Sequence, residues 1–253
     1  MEIQLIRNAT LKINYGGKTI LVDPFLAEKG AMPAFPNTPN QHLSNPMTSL
    51  PLEAEEIVKA DAVLVSHLHP DHFDEEAKNA LPKETRIYAQ SEEDAEAIRN
   101  DGFLHAEAAG SELKLDHITI KKTGGSHGRG DITKMTGPVS GFILTHPEEK
   151  TLYIAGDSVW CPEVQEAIQT HNPEVIAVNA GAAQFLEGGV ITMDKEDIEN
   201  TALAAPQARI IAIHMETLNH CLLSRTELNS FLQEKGLSDR VHVPEDGETM
   251  SFQ

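Results

Sequence analysis

Four apolar, β-prone runs in this chain end in a residue able to hold a metal ion. Leu21-Val22 leads into Asp23-Pro24, Val63-Leu64-Val65-Ser66 into His67, Leu152-Tyr153-Ile154-Ala155-Gly156 into Asp157, and Ile210-Ile211-Ala212-Ile213 into His214. A buried strand fixes the residue at its end while the following loop stays open, so sheet proteins place ligands at strand termini. The coincidence of four such endings predicts a fold whose strands finish together at one edge.

Strand-length apolar runs alternate with helix-period segments through most of the 253 residues, which predicts mixed α and β structure with buried sheets. Ile3 to Arg7, Thr10 to Tyr15 and Lys18 to Val22 read as a meander, with Gly16-Gly17 as a two-residue hairpin signal. Further strands are expected at Ala62–Val65, Arg86–Ala89, Ile118–Lys122, Val139–Thr145, Leu152–Ala155, Val175–Val178 and Ile210–Ile213. Helices are expected at Leu52–Lys59, Asp74–Ala80, Glu92–Asn100, Glu163–Thr170, Lys195–Ala204 and Arg225–Gln233. Ser224 and Glu227 form a capping box for the last of these, and Gly236 is placed to end it. Phe25 to Pro51, punctuated by Pro33, Pro36, Pro39, Pro46 and Pro51, keeps neither period and reads as a lid or binding loop. No linker or low-complexity tract divides the chain, so residues 1–253 are expected to form a single domain.

Composition narrows the setting. A formal charge of −19, with no Lys/Arg-rich stretch, repels polyanions and argues against nucleic acid. The start, Met1-Glu2-Ile3-Gln4-Leu5-Ile6-Arg7-Asn8, lacks a secretory apolar core, and no membrane-spanning apolar run occurs, so a cytoplasmic protein is expected. Cys161 and Cys221 are too few for a disulfide framework, which fits a reducing compartment.

His67-x-His69-x-Asp71-His72 is the densest cluster of metal-competent side chains. Imidazole nitrogens and a carboxylate suit zinc and also accept manganese or iron. In an extended turn His67 and His69 face one ion while Asp71 and His72 turn toward another; the bland alternative is a hydrogen-bonded polar turn. One such cluster does not close two coordination spheres. His127, in the glycine-rich Thr123-Gly124-Gly125-Ser126-His127-Gly128 loop, Asp157 and His214 are the candidates to complete them. A carboxylate with two oxygens is a natural bridge between paired ions, the role open to Asp157.

Asp23, the cluster at 67–72, His127, Asp157 and His214, in that order, resemble the successive motifs of the metallo-β-lactamase superfamily. Ile6-Arg7-Asn8-Ala9-Thr10-Leu11, Gly17 to Pro24, His214-Met215-Glu216 and Asn219-His220 further resemble its L-ascorbate-6-phosphate lactonase-like branch of metal-dependent hydrolases. The resemblance implies an α/β chain (α+β by some schemes) folded as a four-layer αββα sandwich with a dinuclear site at one edge. It implies His67, His69 and His127 on one ion, Asp71, His72 and His214 on the other, Asp157 bridging, and Asp23 orienting the cluster loop from behind. Asn8 stands where some relatives have His, and the stretch from His127 to Val139 is short. Asn8, His42, Arg129, Asn179, Glu216 and His220 are the candidate substrate contacts.

Two divalent ions among five neutral imidazoles and two aspartates leave a local charge of roughly +2, suited to a small anionic substrate. A metal-bridged hydroxide is the expected nucleophile, with Asp71 and Asp157 as catalytic proton acceptors. The expected activity is hydrolysis of a small ester, lactone or phosphorylated metabolite. Phosphodiesterase or nuclease action, and a non-catalytic metal-binding protein of the same fold, are the alternatives. No membrane partner is expected, and self-association into a homo-oligomer is compatible with the reading.

Overall fold

The computed structural model describes residues 1–110 and 112–253. Strands β1 (Glu2–Arg7), β2 (Thr10–Tyr15) and β3 (Lys18–Val22) form an antiparallel meander. Gly16 and Gly17, at φ +54° and +77°, make the β2–β3 turn in the left-handed region that glycine enters without steric cost. The chain continues through α1 (Ala54–Ile57), β4 (Ala62–Val65), α2 (Glu75–Ala80), β5 (Arg86–Ala89), α3 (Glu92–Asn100) and β6 (His105–Ala108). Here the strands add to β3 in parallel.

A second meander, β7 (Leu113–Leu115), β8 (Ile118–Thr123), β9 (Gly141–His146) and β10 (Glu149–Ile154), is interrupted after β8 by a 3-10 turn (Gly130–Ile132) and α4 (Thr133–Thr136). Parallel strands again follow: α5 (Pro162–His171), β11 (Val175–Asn179), α6 (Lys195–Ala204), β12 (Arg209–Ile213), α7 (Arg225–Glu234) and β13 (Val241–His242). Finally β14 (Thr249–Ser251) crosses back to pair with β1. The two sheets run β14-β1-β2-β3-β4-β5-β6 and β13-β12-β11-β10-β9-β8-β7.

The alternation of strand residues explains the four layers. In β10, Leu152 and Ile154 enter the core between the sheets, while Tyr153 faces α5 and α6. In β12, Ile211 and Ile213 face inward and Ile210 and Ala212 outward; in β4, Ala62 and Leu64 pack inward and Val63 and Val65 against α2 and α3. Both faces are covered, so these strands read as unbroken apolar runs. Each fully buried Leu, Ile or Val contributes about 1.5–3 kcal/mol relative to exposure.

Asp74, Ser91, Asp194 and Ser224 cap α2, α3, α6 and α7 by accepting from the backbone N–H three residues on. Gly236 ends α7 at φ +67°, with Gly236 N–H donating to Gln233 and Leu237 N–H to Leu232, the paired bonds of a Schellman ending. Helix α1 is shorter than the expected Leu52–Lys59, and β9 starts at Gly141 rather than Val139. The strands absent from the sequence reading, β6, β7, β13 and β14, are the four sheet edges. With two to four residues each and few buried side chains, they carry too little apolar pattern to detect.

Direction is what positions the site. β1, β3 and β4 point the same way in the first sheet, and β8, β10, β11 and β12 do so in the second. Their carboxyl ends deliver Asn8, Asp23, the 66–72 loop, the 124–128 loop, Asp157, the loop after Asn179, and His214. No helix among the described residues is long and apolar enough to cross a membrane.

Candidate metal centre

Three of these strands end in a non-glycine residue of left-handed backbone: Asn8 after β1 (φ +56°), Asp23 after β3 (φ +44°) and His214 after β12 (φ +62°). Such conformations are uncommon outside glycine and concentrate where a site imposes them. Gly156 meets the same demand before Asp157. At φ +65°, an added Cβ would stand 2.5 Å from the Ser140 carbonyl oxygen.

The strand ends bring seven donors together in two groups. His67, His69 and His127 present ligand atoms within 4.8 Å of one another, and so do Asp71, His72, Asp157 and His214. Asp157 touches both groups: its Oδ2 is 3.2 Å from His72 Nε2, 3.5 Å from His127 Nε2 and 3.9 Å from His67 Nε2, and its Oδ1 is 3.6 Å from His214 Nε2. Asp71 Oδ2 lies 3.2 Å from His214 Nε2 and 3.6 Å from His72 Nε2. His67 Nε2 and His69 Nδ1 are 2.9 Å apart. All are buried except His69, which is partly open to solvent.

Behind this ring, the second nitrogen of each deeply placed imidazole is engaged. His72 Nδ1 donates to Asp23 Oδ2 (2.9 Å), and Ser66 donates from both its N–H (2.7 Å) and its hydroxyl (2.6 Å) to the same carboxylate. His67 Nδ1 in turn faces Ser66 Oγ at 3.0 Å. His127 Nδ1 donates to the Ile191 carbonyl at 2.8 Å, and His214 Nδ1 faces Cys221 Sγ at 3.5 Å. Bonds of this kind fix ring orientation and tautomer, leaving each Nε2 lone pair aimed forward. Ser66, the Ile191 carbonyl and Cys221 escaped the sequence reading. Ser66, directly before the cluster, was the one with a usable signal.

The electrostatics follow from burying carboxylates against imidazoles. Burial disfavours the charged ring of His72, yet Asp157, Asp71 and Asp23 outweigh it and hold its pKa up at about 10. Burial pushes Asp71 and Asp157 upward, but the surrounding histidines, His72 foremost, bring both well below the usual carboxylate range. His67, with fewer carboxylate neighbours, is pulled down by burial and by His72. His72 Nε2 makes no hydrogen bond although it is buried. An orphaned nitrogen among convergent carboxylate and imidazole donors fits a cation.

The six candidate substrate contacts divide into two sets. Asn8 Nδ2 donates to the Asp71 carbonyl (3.0 Å) and its own carbonyl accepts from His214 N–H (2.9 Å), so it ties the two sheets together behind the ring. Asn179 Nδ2 donates to Asp157 Oδ1 at 2.5 Å. His220 is buried, its ring edge-on to Phe35 at 4.9 Å between centroids. Of the other three, two are engaged elsewhere. Arg129 binds both oxygens of Asp197 (2.5 and 2.7 Å), pinning the loop after His127 to α6. Glu216 accepts from the Arg225 N–H and guanidinium at the start of α7. His42 is exposed in a turn of the proline-rich loop and bonds to none of the donors.

That loop, residues 25–51, is irregular but tethered. Arg7, fully buried, donates to the carbonyls of Phe25, Ala27 and Thr48. Asp74, besides capping α2, accepts from Leu26 and Ala27 N–H. Asn219 is the hub. Its Oδ1 accepts from Phe35 N–H (3.1 Å) and Asn45 Nδ2 (2.9 Å), its Nδ2 donates to Thr38 Oγ1 (2.8 Å) and the Pro39 carbonyl (2.6 Å), and its N–H donates to Asn45 Oδ1 (2.8 Å).

The family model described as the beta-lactamase superfamily domain matches residues 2–214. The UPF0173 protein YddR of Bacillus subtilis (strain 168) is 47% identical over the full length of both chains. A UPF0173 metal-dependent hydrolase of Bacillus thuringiensis is 28% identical, covering 86% of each chain. Among solved structures, the isothiocyanate hydrolase from Delia radicum gut bacteria superposes with TM-score 0.96 at 43% identity, covering 100% of this chain and 99% of the other. A protein of Veillonella parvula described as "a possible metal-dependent hydrolase" gives TM-score 0.97 at 37% identity over the same shares. These likenesses establish the superfamily without singling out its L-ascorbate-6-phosphate lactonase-like branch. The αββα sandwich, the strand ends that build the pocket and the family match agree: this chain belongs to the metallo-β-lactamase superfamily.

Proposed function

We propose that this protein is a metal-dependent hydrolase holding two divalent cations, zinc foremost, with manganese and iron as the other candidates. The observation that carries the proposal is the pair of donor groups that meet at Asp157. His67, His69 and His127 would hold one ion, Asp71, His72 and His214 the other, and Asp157 would bridge them. Ions in such a pair supply water acidified toward neutrality and polarise the electrophilic atom under attack. The chain's own residues do the rest. Asp23 and Ser66 hold the rings of His67 and His72 in register, and Asn179 fixes Asp157 through Oδ1, leaving Oδ2 toward the imidazoles. Asp71 and Asp157 would take up the proton released during attack.

The surroundings support a small, largely apolar substrate with an electrophilic carbon. Phe25, Ile132, Ala183, Ile191, Leu218 and Cys221 form an apolar cluster with Met32, Phe35 and Phe185 at its half-buried fringe. Two of its members touch the ring directly, Ile191 through His127 and Cys221 through His214. Arg129, the arginine nearest His127 in sequence, is tied to Asp197, so positive charge for an anionic group falls to the ions. Esters and lactones meet this description. The isothiocyanate hydrolase neighbour favours a second class, R–N=C=S, in which water adds at carbon and the adduct splits to an amine and carbonyl sulfide. Phosphodiesters of nucleic acid fit poorly with a chain of charge −19.

The test is a panel of benzyl isothiocyanate, a γ-lactone, a nitrophenyl ester and a phosphodiester offered to the zinc-loaded protein. Turnover of a carbon electrophile is expected. His67→Ala and Asp157→Ala are expected to retain the circular dichroism of the fold while losing bound metal and about 100-fold or more in kcat/KM. Full metal stoichiometry in both variants would refute the assignment.

A further inference from the structure

Two of the donors, His127 and Asp157, ride on neighbouring loops of the second sheet, residues 124–129 and 156–160. Close to the donors these loops are bonded twice. Ser126 N–H donates to the buried Ser158 Oγ (3.2 Å), and Val159 N–H donates to the Ser126 carbonyl (3.0 Å). Their far ends are joined through a residue that the sequence did not single out, Asp197 in the first turn of α6. Arg129 donates to both of its oxygens (2.5 and 2.7 Å), and Trp160 N–H donates to Oδ2 (3.2 Å). The contact of His127 Nε2 with Asp157 Oδ2, at 3.5 Å, therefore sits in a frame closed at both ends.

Asp197 is itself held, its N–H donating to Asp194 Oδ1 at 2.9 Å. The segment leading into it reaches the same two donors from behind. The Ile191 carbonyl accepts from His127 Nδ1, and Met193 N–H donates to the carbonyl of Asn179, whose side chain grips Asp157. The Asp197 side chain is 5% exposed and that of Arg129 48%. A buried carboxylate needs a partner for its charge, so Arg129 is committed to Asp197 and is not free to receive an anion. Helix α6 does not call for this buried carboxylate, because Asp194 supplies its cap and Glu196 an exposed negative charge in its first turn.

We infer that Asp197 is a positioning residue for the metal centre: it sets the separation of His127 and Asp157 by fixing the loops that carry them, and Arg129 acts through it instead of on substrate. This deepens the hydrolase reading and rests on it for the cation that the two donors share.

The experiment measures zinc affinity by competition with a chromogenic chelator, and the visible d–d bands of the Co²⁺-loaded protein, in Asp197→Ala, Asp197→Asn, Arg129→Ala and the double alanine variant. Asp197→Ala is expected to keep the circular dichroism of the fold, to bind zinc about 10-fold or more weakly and to shift the cobalt bands. Asp197→Asn keeps an acceptor for Trp160 N–H and is expected to fall between the parent and the alanine variant; it carries the comparison should Asp197→Ala lose the fold. Arg129→Ala is expected to weaken zinc in the parent and to add nothing once Asp197 is gone. Unchanged zinc affinity and cobalt bands in both Asp197 variants would overturn the inference, as would a full further loss on adding Arg129→Ala. If the parent binds zinc and turns over nothing on the panel while its affinity still depends on Asp197, the hydrolase reading fails and the positioning role stands. A parent that takes up no zinc removes both.

Discussion

At the scale of single residues, Asp23 governs more of the site than its distance from the donor ring suggests. It accepts from the Ser66 N–H, the Ser66 hydroxyl and His72 Nδ1, and through Ser66 it reaches His67. Replacing it by alanine leaves three buried donors unsatisfied, at about 1–3 kcal/mol each before relaxation. It also frees two imidazoles to rotate. Asp23→Ala is therefore expected to lower zinc affinity by about 10- to 100-fold, read by competition with a chromogenic chelator. Asp23→Asn, which tolerates the left-handed backbone, is expected to fall between the parent and the alanine variant. Equal affinity in all three proteins would show that the rings are fixed by packing alone. Histidine and aspartate packed into one motif announce their chemistry at 67–72, Asp23, Asp157 and His214 stand out as polar endings of apolar runs, and His127 stands out only by its glycine-rich loop. The groups behind them were not legible: Ile191 contributes only a carbonyl, and Cys221 and Ser66 are side chains with many ordinary uses. The preference of Asn8 and His214 for left-handed backbone likewise leaves no mark in composition.

At the scale of elements, the proline-rich segment shows how an irregular loop is made rigid without a sheet or helix. Its backbone polar groups are met by side chains projecting from ordered parts: Arg7 from the end of β1, Asp74 from the cap of α2, and Asn219 from the loop after β12. Asn219 alone connects to Phe35, Thr38, Pro39 and Asn45. Asn219→Ala removes the four bonds made by its side chain and is expected to cost about 2–4 kcal/mol, several net hydrogen bonds of about 1 kcal/mol each. The loss should be local. Amide exchange and limited proteolysis are expected to accelerate across residues 33–45 while β4, β10 and β12 keep their protection. Uniform acceleration over the whole chain would mean that the loop is part of the global folding unit instead. Prolines reveal where such a segment lies because they break both periodicities. They carry no information on which distant side chains fasten it, since those bonds are long-range and irregular. The sheet edges were hidden for a related reason: an edge strand needs only one or two buried side chains, and periodicity needs more.

At the scale of the whole molecule, the donor ring is a seam between two sheets. The 67–72 cluster and Asp23 come from the first sheet, and His127, Asp157 and His214 from the second. Each half repeats the same plan of antiparallel meander followed by parallel strands, and the two meet face to face over one apolar core. Strand direction places the chemistry at one end, and that could be anticipated from polar residues terminating apolar runs. The pairing of the halves depends on contacts far apart in sequence and could not. Cations held across the seam, as the proposed function has them, would bind the folded chain and not the unfolded one, so removing them is expected to lower stability by linkage. At a free metal concentration of about 100 times Kd, one site contributes about 2.7 kcal/mol. For a chain of this size each kcal/mol moves Tm by about 2–4 °C, so stripping one such ion is expected to lower Tm by about 5–11 °C. Scanning the zinc-loaded protein with and without a chelator reads this directly, and added zinc should restore the higher transition. His67→Ala and Asp157→Ala should melt near the stripped parent and respond little to chelator. A parent whose transition ignores both chelator and zinc would separate the fold from its cations, and the donor ring would then be a polar cluster that the two sheets hold together unaided.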